Sequence, residues 1–342
     1  MSALLLDALK CANERRPPVW LMRQAGRYMP EYQVLRKKHS LWQLFHEPEL
    51  ASQVTHLPID LLGIDAAIVF SDILVIAEVL GLSIVFPETG GPRVEPSIRT
   101  SAQADALPIL PVDEVLSYVF ETIRQVKKEI TIPLIGFCGA PFTIASYLID
   151  SGSKQEFIYT KQWMKEDPKS FHRLLDKLTE SSIAYLLGQI KAGVDVIQVF
   201  DSWASVLSDE ERRLFCYPYL QKIVDALKPT GIPVILFCRN SSLFPQELSA
   251  LESACISFDW HRPMSVLRAQ VPSHIAIQGN IDPSFLKNEP DQIVKAVKEL
   301  LVSMRGEKGF IVNLGHGVLP DIPFKHVQCF VDTVKSFGGI TT

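Results

Sequence analysis

The chain has 342 residues, 47% hydrophobic and 21% charged, a balance that supports a large apolar core and excludes disordered and collagen-like classes. A formal net charge of -4 argues against a general nucleic-acid binder. Six scattered cysteines, with no Cys-x-x-Cys pair and no histidine tract beside them, indicate neither a disulfide framework nor a zinc module, and a reduced, cytoplasmic setting is expected.

Leu4, Leu5 and Leu6 form too short an apolar run for a secretory leader, and Asp7 closes it. Residues 1–40 carry eight Lys and Arg side chains against three Asp and Glu, so the acidic chain has a basic N-terminal region and an anionic small molecule is its natural partner. A first short strand is expected at 19–21. It runs into "MRQAGRYMPEY", where Gly26 inside and Pro30 after the stretch weaken a helix, so the segment reads as a loop carrying Arg23 and Arg27. Two guanidinium forks on one hinged loop suit a carboxylate or phosphate; the alternative is a solvated pair of charges. The "RKK" run at 36–38 reads as plain surface charge.

The most apolar region, 59–86, is interrupted by Asp60, Asp65, Asp72 and Glu78, which a bilayer would not tolerate cheaply, and a strand is expected there at 66–70. Residues 83–111 are rich in Pro and Gly and read as an insertion after the second strand unit, on the side where insertions help form sites. Further strands are expected at 133–137, 194–200, 233–237, 255–258, 274–278 and 310–313, separated by helical patterns such as 115–129, 169–192 and 291–304. Alternation of this kind means a parallel sheet. One large domain or two ordinary ones would fit the length, and eight strands suggest an α/β fold closed into a (β/α)8 TIM-type barrel, although spacing alone leaves an open doubly wound sheet possible.

In a barrel the site forms where strands end, and here each apolar run gives way to polar residues. Arg23 and Arg27 come after the first, Ser71 and Asp72 after the second, and Gly139-Ala140-Pro141 with Tyr147 after the third. Asp201-Ser202-Trp203 lie beyond the fourth, Asp259-Trp260 the sixth, Asn280 to Pro283 the seventh and Gly315-His316-Gly317 the eighth. Asp72 lies between two apolar runs, where it either caps a helix or places a charge in an apolar cleft. His316 is a turn histidine or a functional one, and Tyr147 is a core residue unless its helix face borders the cleft. Asp201 and Asp259 fit capping as well as chemistry, and Asn280, Asp282 and Pro283 fit a simple turn. Ser202 lacks the Gly-x-Ser-x-Gly elbow of a nucleophile. No phosphate-cradling glycine motif is present, so no nucleotide cofactor is expected.

Six ordered motifs, "PVWLMRQAGRYMPEY", "FSDIL", "GFCGAPFTIASYLIDSG", "QVFDSWASVLS", "QGNIDP" and "NLGHGVLPDIP", together resemble the uroporphyrinogen decarboxylase family across nearly the whole chain. The resemblance implies a single-domain (β/α)8 barrel over residues 1–342, cofactor-free and metal-free, usually a homodimer, acting on uroporphyrinogen III, a polycarboxylate tetrapyrrole. It implies that Arg23 and Arg27 hold substrate carboxylates, that Asp72 accepts pyrrole N–H groups, and that Tyr147, Ser202 and His316 add polar contacts; Asp72 and Arg23 are the expected catalytic pair. Neither nucleic acid nor membrane is an implied partner. "FCRNSSLFPQEL", "FDWHRPMSVLR" and "ETGGPRVEP" depart from the family pattern. Related methyltransferases hold zinc through a His-x-Cys pair; here Leu236 stands two residues before Cys238, and that metal set is incomplete.

Overall fold

The computed structural model describes residues 3–87, 90–152 and 157–338. Seven parallel strands succeed one another around a curled sheet: β1 (Ala67–Ile68), β4 (Leu134–Gly139), β5 (Val196–Asp201), β6 (Val234–Cys238), β7 (Cys255–Ser257), β8 (Ala276–Ile281) and β9 (Phe310–Leu314). Between β1 and β4 lie β2 (Ser83–Val85) and β3 (Arg93–Glu95), an antiparallel pair of their own within the stretch read as an insertion. Residues 88–89 of that stretch lie outside the described residues.

Seven of the eight expected strands form within a few residues of their expected places. The first, 19–21, is reduced to a single parallel bridge from Val19 to Val312. It nevertheless sits between the two ends of the sheet: Val312 N donates to Pro18 O at 2.9 Å on one side, and Asp65 N donates to Val19 O at 2.9 Å on the other. Asp65 tightens this seam. Arg16 grips its carboxylate bidentately at 2.7 and 2.8 Å, and Val19 N donates to the same carboxylate at 2.7 Å. Asp65→Ala would strand a largely buried arginine and an amide together, so a loss of about 3 kcal/mol is expected in urea unfolding, with little change from Asp7→Ala at the exposed Arg15.

The three expected helices are present as Ser117–Glu129, Pro168–Ala192 and Pro290–Ser303. Their buried residues recur at helical spacing, as in Val119, Ile123 and Val126, and pack on the convex face of the sheet. The concave face is filled in layers. Ile135, Val196, Ile235, Cys255, Ala276 and Ile311, near the strand starts, pack with Leu5, Ala8 and Leu9 of the helix Leu4–Leu9. Above them is a polar layer in which Trp20 donates to Gln278 at 2.9 Å, and Gln278 in turn donates to Ser257 at 2.9 Å and Gln198 at 3.3 Å. Phenylalanines come next, toward the strand ends. No described helix is long and apolar enough to cross a membrane.

Candidate active site

The strand ends open into a cleft of about 490 Å³. Its floor is aromatic: Phe137, Phe200, Phe237 and His316 meet edge to face in sequence, with ring centroids 5.6, 5.9 and 5.7 Å apart. Phe137, Phe200 and Phe237 come from inward positions of β4, β5 and β6, and His316 from the turn after β9. A second aromatic wall joins Phe45 to Phe70 at 4.7 Å and to Phe86 at 5.2 Å. Phe86 leads from β2 into the loop before β3, so the stretch read as an insertion does line the cleft.

On this apolar ground stand the charges. Gln24 is buried and fastens the first loop, accepting from Leu21 N at 3.1 Å and donating to Ala66 O at 3.3 Å. Tyr28 closes the loop on Gln24 O, and Pro30 opens the helix Pro30–Lys38 at its first turn, where proline lacks nothing the helix needs. Gln24 and Tyr28 are buried, whereas Arg23 and Arg27 are exposed where they line the cleft. Arg23 itself is left-handed, at φ 59. Val318 N donates to Met22 O at 2.9 Å, which lays the "GHGV" turn beside it, and a Cβ on Gly317 would come within 2.5 Å of Arg23 Cδ. Gly317 is therefore the seat of the Arg23 stem.

Asp72 faces the arginines from the turn after β1. One of its oxygens accepts from Leu74 N at 2.9 Å. It closes a local turn and does not cap the next helix, Ile76–Val79, which has no side-chain cap. Burial pushes its carboxyl up to about 6, against the pull of the Leu74 N–H and of Arg23. His316 moves the other way: burial and the guanidiniums of Arg23 and Arg239 hold its imidazole at about 3, so it is neutral.

Arg23, Arg27, Asp72, Ser202 and His316 thus line one cleft. Tyr147 does not. It is buried behind the wall, its ring 6.2 Å from that of Trp203, while still close enough for Asp72 and Arg23 to act on its hydroxyl. Asp201 is buried and occupied by Thr143, which donates at 2.6 Å, and by the Cys216 thiol at 2.8 Å. Asp259 accepts from Ser242 and from His261 N, Asn280 donates to Asp259 O at 2.7 Å, and Asp282 accepts from Ser284 N at 2.8 Å. These are scaffold contacts.

One expectation fails outright. Arg36, taken with Lys37 and Lys38 as plain surface charge, is half-buried and lines the cleft. The helix Pro30–Lys38 carries Tyr32 on the same wall one turn earlier, and the four-residue spacing of Tyr32 and Arg36 was the available signal. None of Arg23, Arg27 and Arg36 forms an ion pair among the described residues.

Residues 2–337 match the family described as uroporphyrinogen decarboxylase. The chain belongs to the uroporphyrinogen decarboxylase family. It is 45% identical to the uroporphyrinogen decarboxylase of Protochlamydia amoebophila, over 98% of this chain and 92% of that protein, and 40% identical to that of Chlorobium limicola, over 97% of each. Among solved structures, a methyltransferase from Methanosarcina mazei shares the fold at TM-score 0.82 and 21% identity, over 97% of both chains. Its likeness is one of fold. In this family member Cys238 lies with Asp201 and Cys216 in a sealed cluster and is not part of the cleft wall.

Proposed function

We propose that the chain is a carboxy-lyase that converts the acetate side chains of uroporphyrinogen III to methyl groups, giving coproporphyrinogen III in tetrapyrrole biosynthesis. The observation that carries this reading is a single aspartate facing three arginines without ion-pair partners in an apolar cleft, in a chain of this family. Arginine forks suit the carboxylates of such a substrate, and the aromatic floor suits its pyrrole rings. Protonation of a pyrrole carbon makes the ring a cation. The ring then accepts the electron pair of the breaking carbon–carbon bond, carbon dioxide leaves, and a second proton completes the methyl group as the ring returns to neutrality and gives one back. Net, each arm takes up one proton and loses one carbon dioxide. Asp72 stabilises the cationic ring electrostatically and accepts its N–H groups. Arg23 orients the departing carboxylate, with Arg27, Ser202 and His316 on other substrate oxygens and Tyr147 acting from behind the wall.

The same reading includes a single domain in which the 19–21 segment closes the curled sheet as its eighth stave, with the β2–β3 stretch inserted after the second, and it includes a cofactor-free reaction and a homodimer. Purified protein incubated with reduced uroporphyrinogen and excess chelator should give products of falling carboxylate number. Product formed only after zinc or cobalamin is supplied would sink the reading in favour of methyl transfer.

The pH profile is set by the site. With Asp72 at about 6 and active as the anion, kcat/KM should fall tenfold per unit below pH 6 and be flat just above it. His316 at about 3 takes no part in that limb, so His316→Gln should lower the rate without moving it. A limb that disappears in His316→Gln would assign it to the imidazole.

A further inference from the structure

Among the described residues, one group places three metal-ligating side chains within reach of a single ion: Asp201, Cys216 and Cys238, whose oxygen and sulfur atoms all lie within 4.8 Å of one another. The proposed reaction uses none of them. They come from three elements. Asp201 and Cys238 end β5 and β6 as register partners, and because the neighbouring Phe200 and Phe237 face the cleft, both lie behind its floor. Cys216 comes from the joint between the helices Asp209–Phe215 and Tyr217–Leu227. All three are at most 1% exposed.

The carboxylate is the unusual member. It accepts from Thr143 Oγ1 at 2.6 Å and from the Cys216 thiol at 2.8 Å, both neutral donors, and it forms no ion pair among the described residues. Arg212, one turn before Cys216, is taken by Asp209 and by Leu207 O. A buried carboxylate without a cation is costly, and the two thiols beside it supply the rest of a soft ligand set.

We propose that Asp201, Cys216 and Cys238 form a structural site for a thiophilic divalent ion, Zn2+ or Cd2+, that staples the ends of β5 and β6 to the helix joint behind the cleft floor. Two thiolates and a carboxylate suit such an ion, whereas calcium and magnesium need more oxygens than the cluster offers. A water, or Thr143 Oγ1 beside the same carboxylate, completes four ligands. On binding, two S–H bonds give way to two sulfur–metal bonds, the two protons pass to solvent, and no electrons change hands. Sulfur and oxygen on a tetrahedral zinc stand about 3.6 Å apart, so Cys216 and Asp201 spread from 2.8 Å by roughly 0.8 Å as the ion replaces the thiol proton. The ion lies outside the cleft, so a chelator that strips it lowers stability and leaves turnover of the folded chain intact.

The probe is Cd2+ on the full chain, reduced with a phosphine and stripped of metal, with the half-exposed Cys11 and Cys329 replaced by Ser to remove the accessible thiols. Because the cluster is sealed, the ion is supplied both to the folded protein and during refolding from urea. One equivalent should bind at micromolar concentration or below, show the ultraviolet charge-transfer band of two cadmium–thiolate bonds, and raise the melting temperature by about 5 °C at a hundredfold excess over Kd. Cys238→Ala should remove at least half of the band, and Cys216→Ser with Cys238→Ser all of it. Asp201→Asn, which keeps an acceptor for Thr143, should weaken the affinity at least tenfold. No band by either route, binding only at millimolar concentration, or a band that survives in the double variant overturns the proposal. If the double variant does not fold, cadmium-113 NMR of the loaded parent decides: a shift for two sulfurs with oxygens upholds the site, and one for oxygens alone or for four sulfurs overturns it. These readouts are spectroscopic and thermal, so they stand or fall apart from decarboxylation.

Discussion

Asp72→Asn is expected to lower kcat by roughly a hundredfold or more while making the folded protein more stable near neutral pH. Asparagine keeps the size of the side chain and an acceptor for Leu74 N, so the turn after β1 survives. What it loses is the charge. In the fold the Asp72 carboxyl sits at about 6 instead of its ordinary 3.8, so the folded state holds this proton more tightly than the unfolded chain. The resulting cost is absent below about 3.8, grows as pH rises through the window to about 6, and is full above it; asparagine avoids it. The gain above pH 6 is roughly 2–3 kcal/mol, fading as pH falls toward 4. Substrate affinity should drop less than turnover, since the arginines remain. Single-turnover kinetics with parallel melts at pH 4 and pH 8 decide the matter. A folded variant with near-normal turnover would reduce Asp72 to a turn residue, and a variant less stable at pH 8 than wild type would refute the buried-charge argument.

Arg23→Lys should lower kcat/KM by roughly tenfold to a hundredfold, on the scale of losing a bidentate grip on a carboxylate. The loss is geometric, since the positive charge remains. Arg23 leaves a left-handed backbone position and runs across Gly317, which has no side chain to obstruct it. The fork is thus aimed before substrate arrives, whereas an ammonium on a flexible stem presents a single point charge. Arg36→Lys should show a smaller loss, because Arg36 lines the cleft but spends one N–H on His39 O at 2.8 Å. The exposed Lys38 should tolerate replacement by Gln. Steady-state kinetics on the three variants provide the ranking, and an Arg23→Lys enzyme as active as Lys38→Gln would mean that the first loop is merely solvated.

The strands could be read because each is a dense apolar run bounded by polar turns, and the cleft residues could be read because strand ends in such a sheet converge. Position at the strand ends picks out Arg23, Arg27, Asp72, Ser202 and His316 alike, and the role of each comes from the family resemblance. The strand at 19–21 was overstated because three apolar residues satisfy the pattern while only Val19 forms a bridge. The aromatic floor went unread for a different reason: in β4, β5 and β6 both faces are buried, so alternation does not distinguish the inward phenylalanines from the outward residues. The polar layer of Trp20, Gln198, Ser257 and Gln278 was invisible likewise, its members being scattered over the chain and meeting only across the concave face. The role of Arg36 was missed because a run of like charges looks solvated until the helix turns one of them inward.

The helix Leu4–Leu9 gives the fold a blind end. Leu5, Ala8 and Leu9 cork the strand starts, so among the described residues the cleft has a mouth and no back door. Whatever enters must leave the way it came, and the gas released on the floor must pass the ring that released it. Substrate, product and gas thus share one doorway, and under the proposed reaction a partly processed ring that leaves by it must compete with fresh substrate to return.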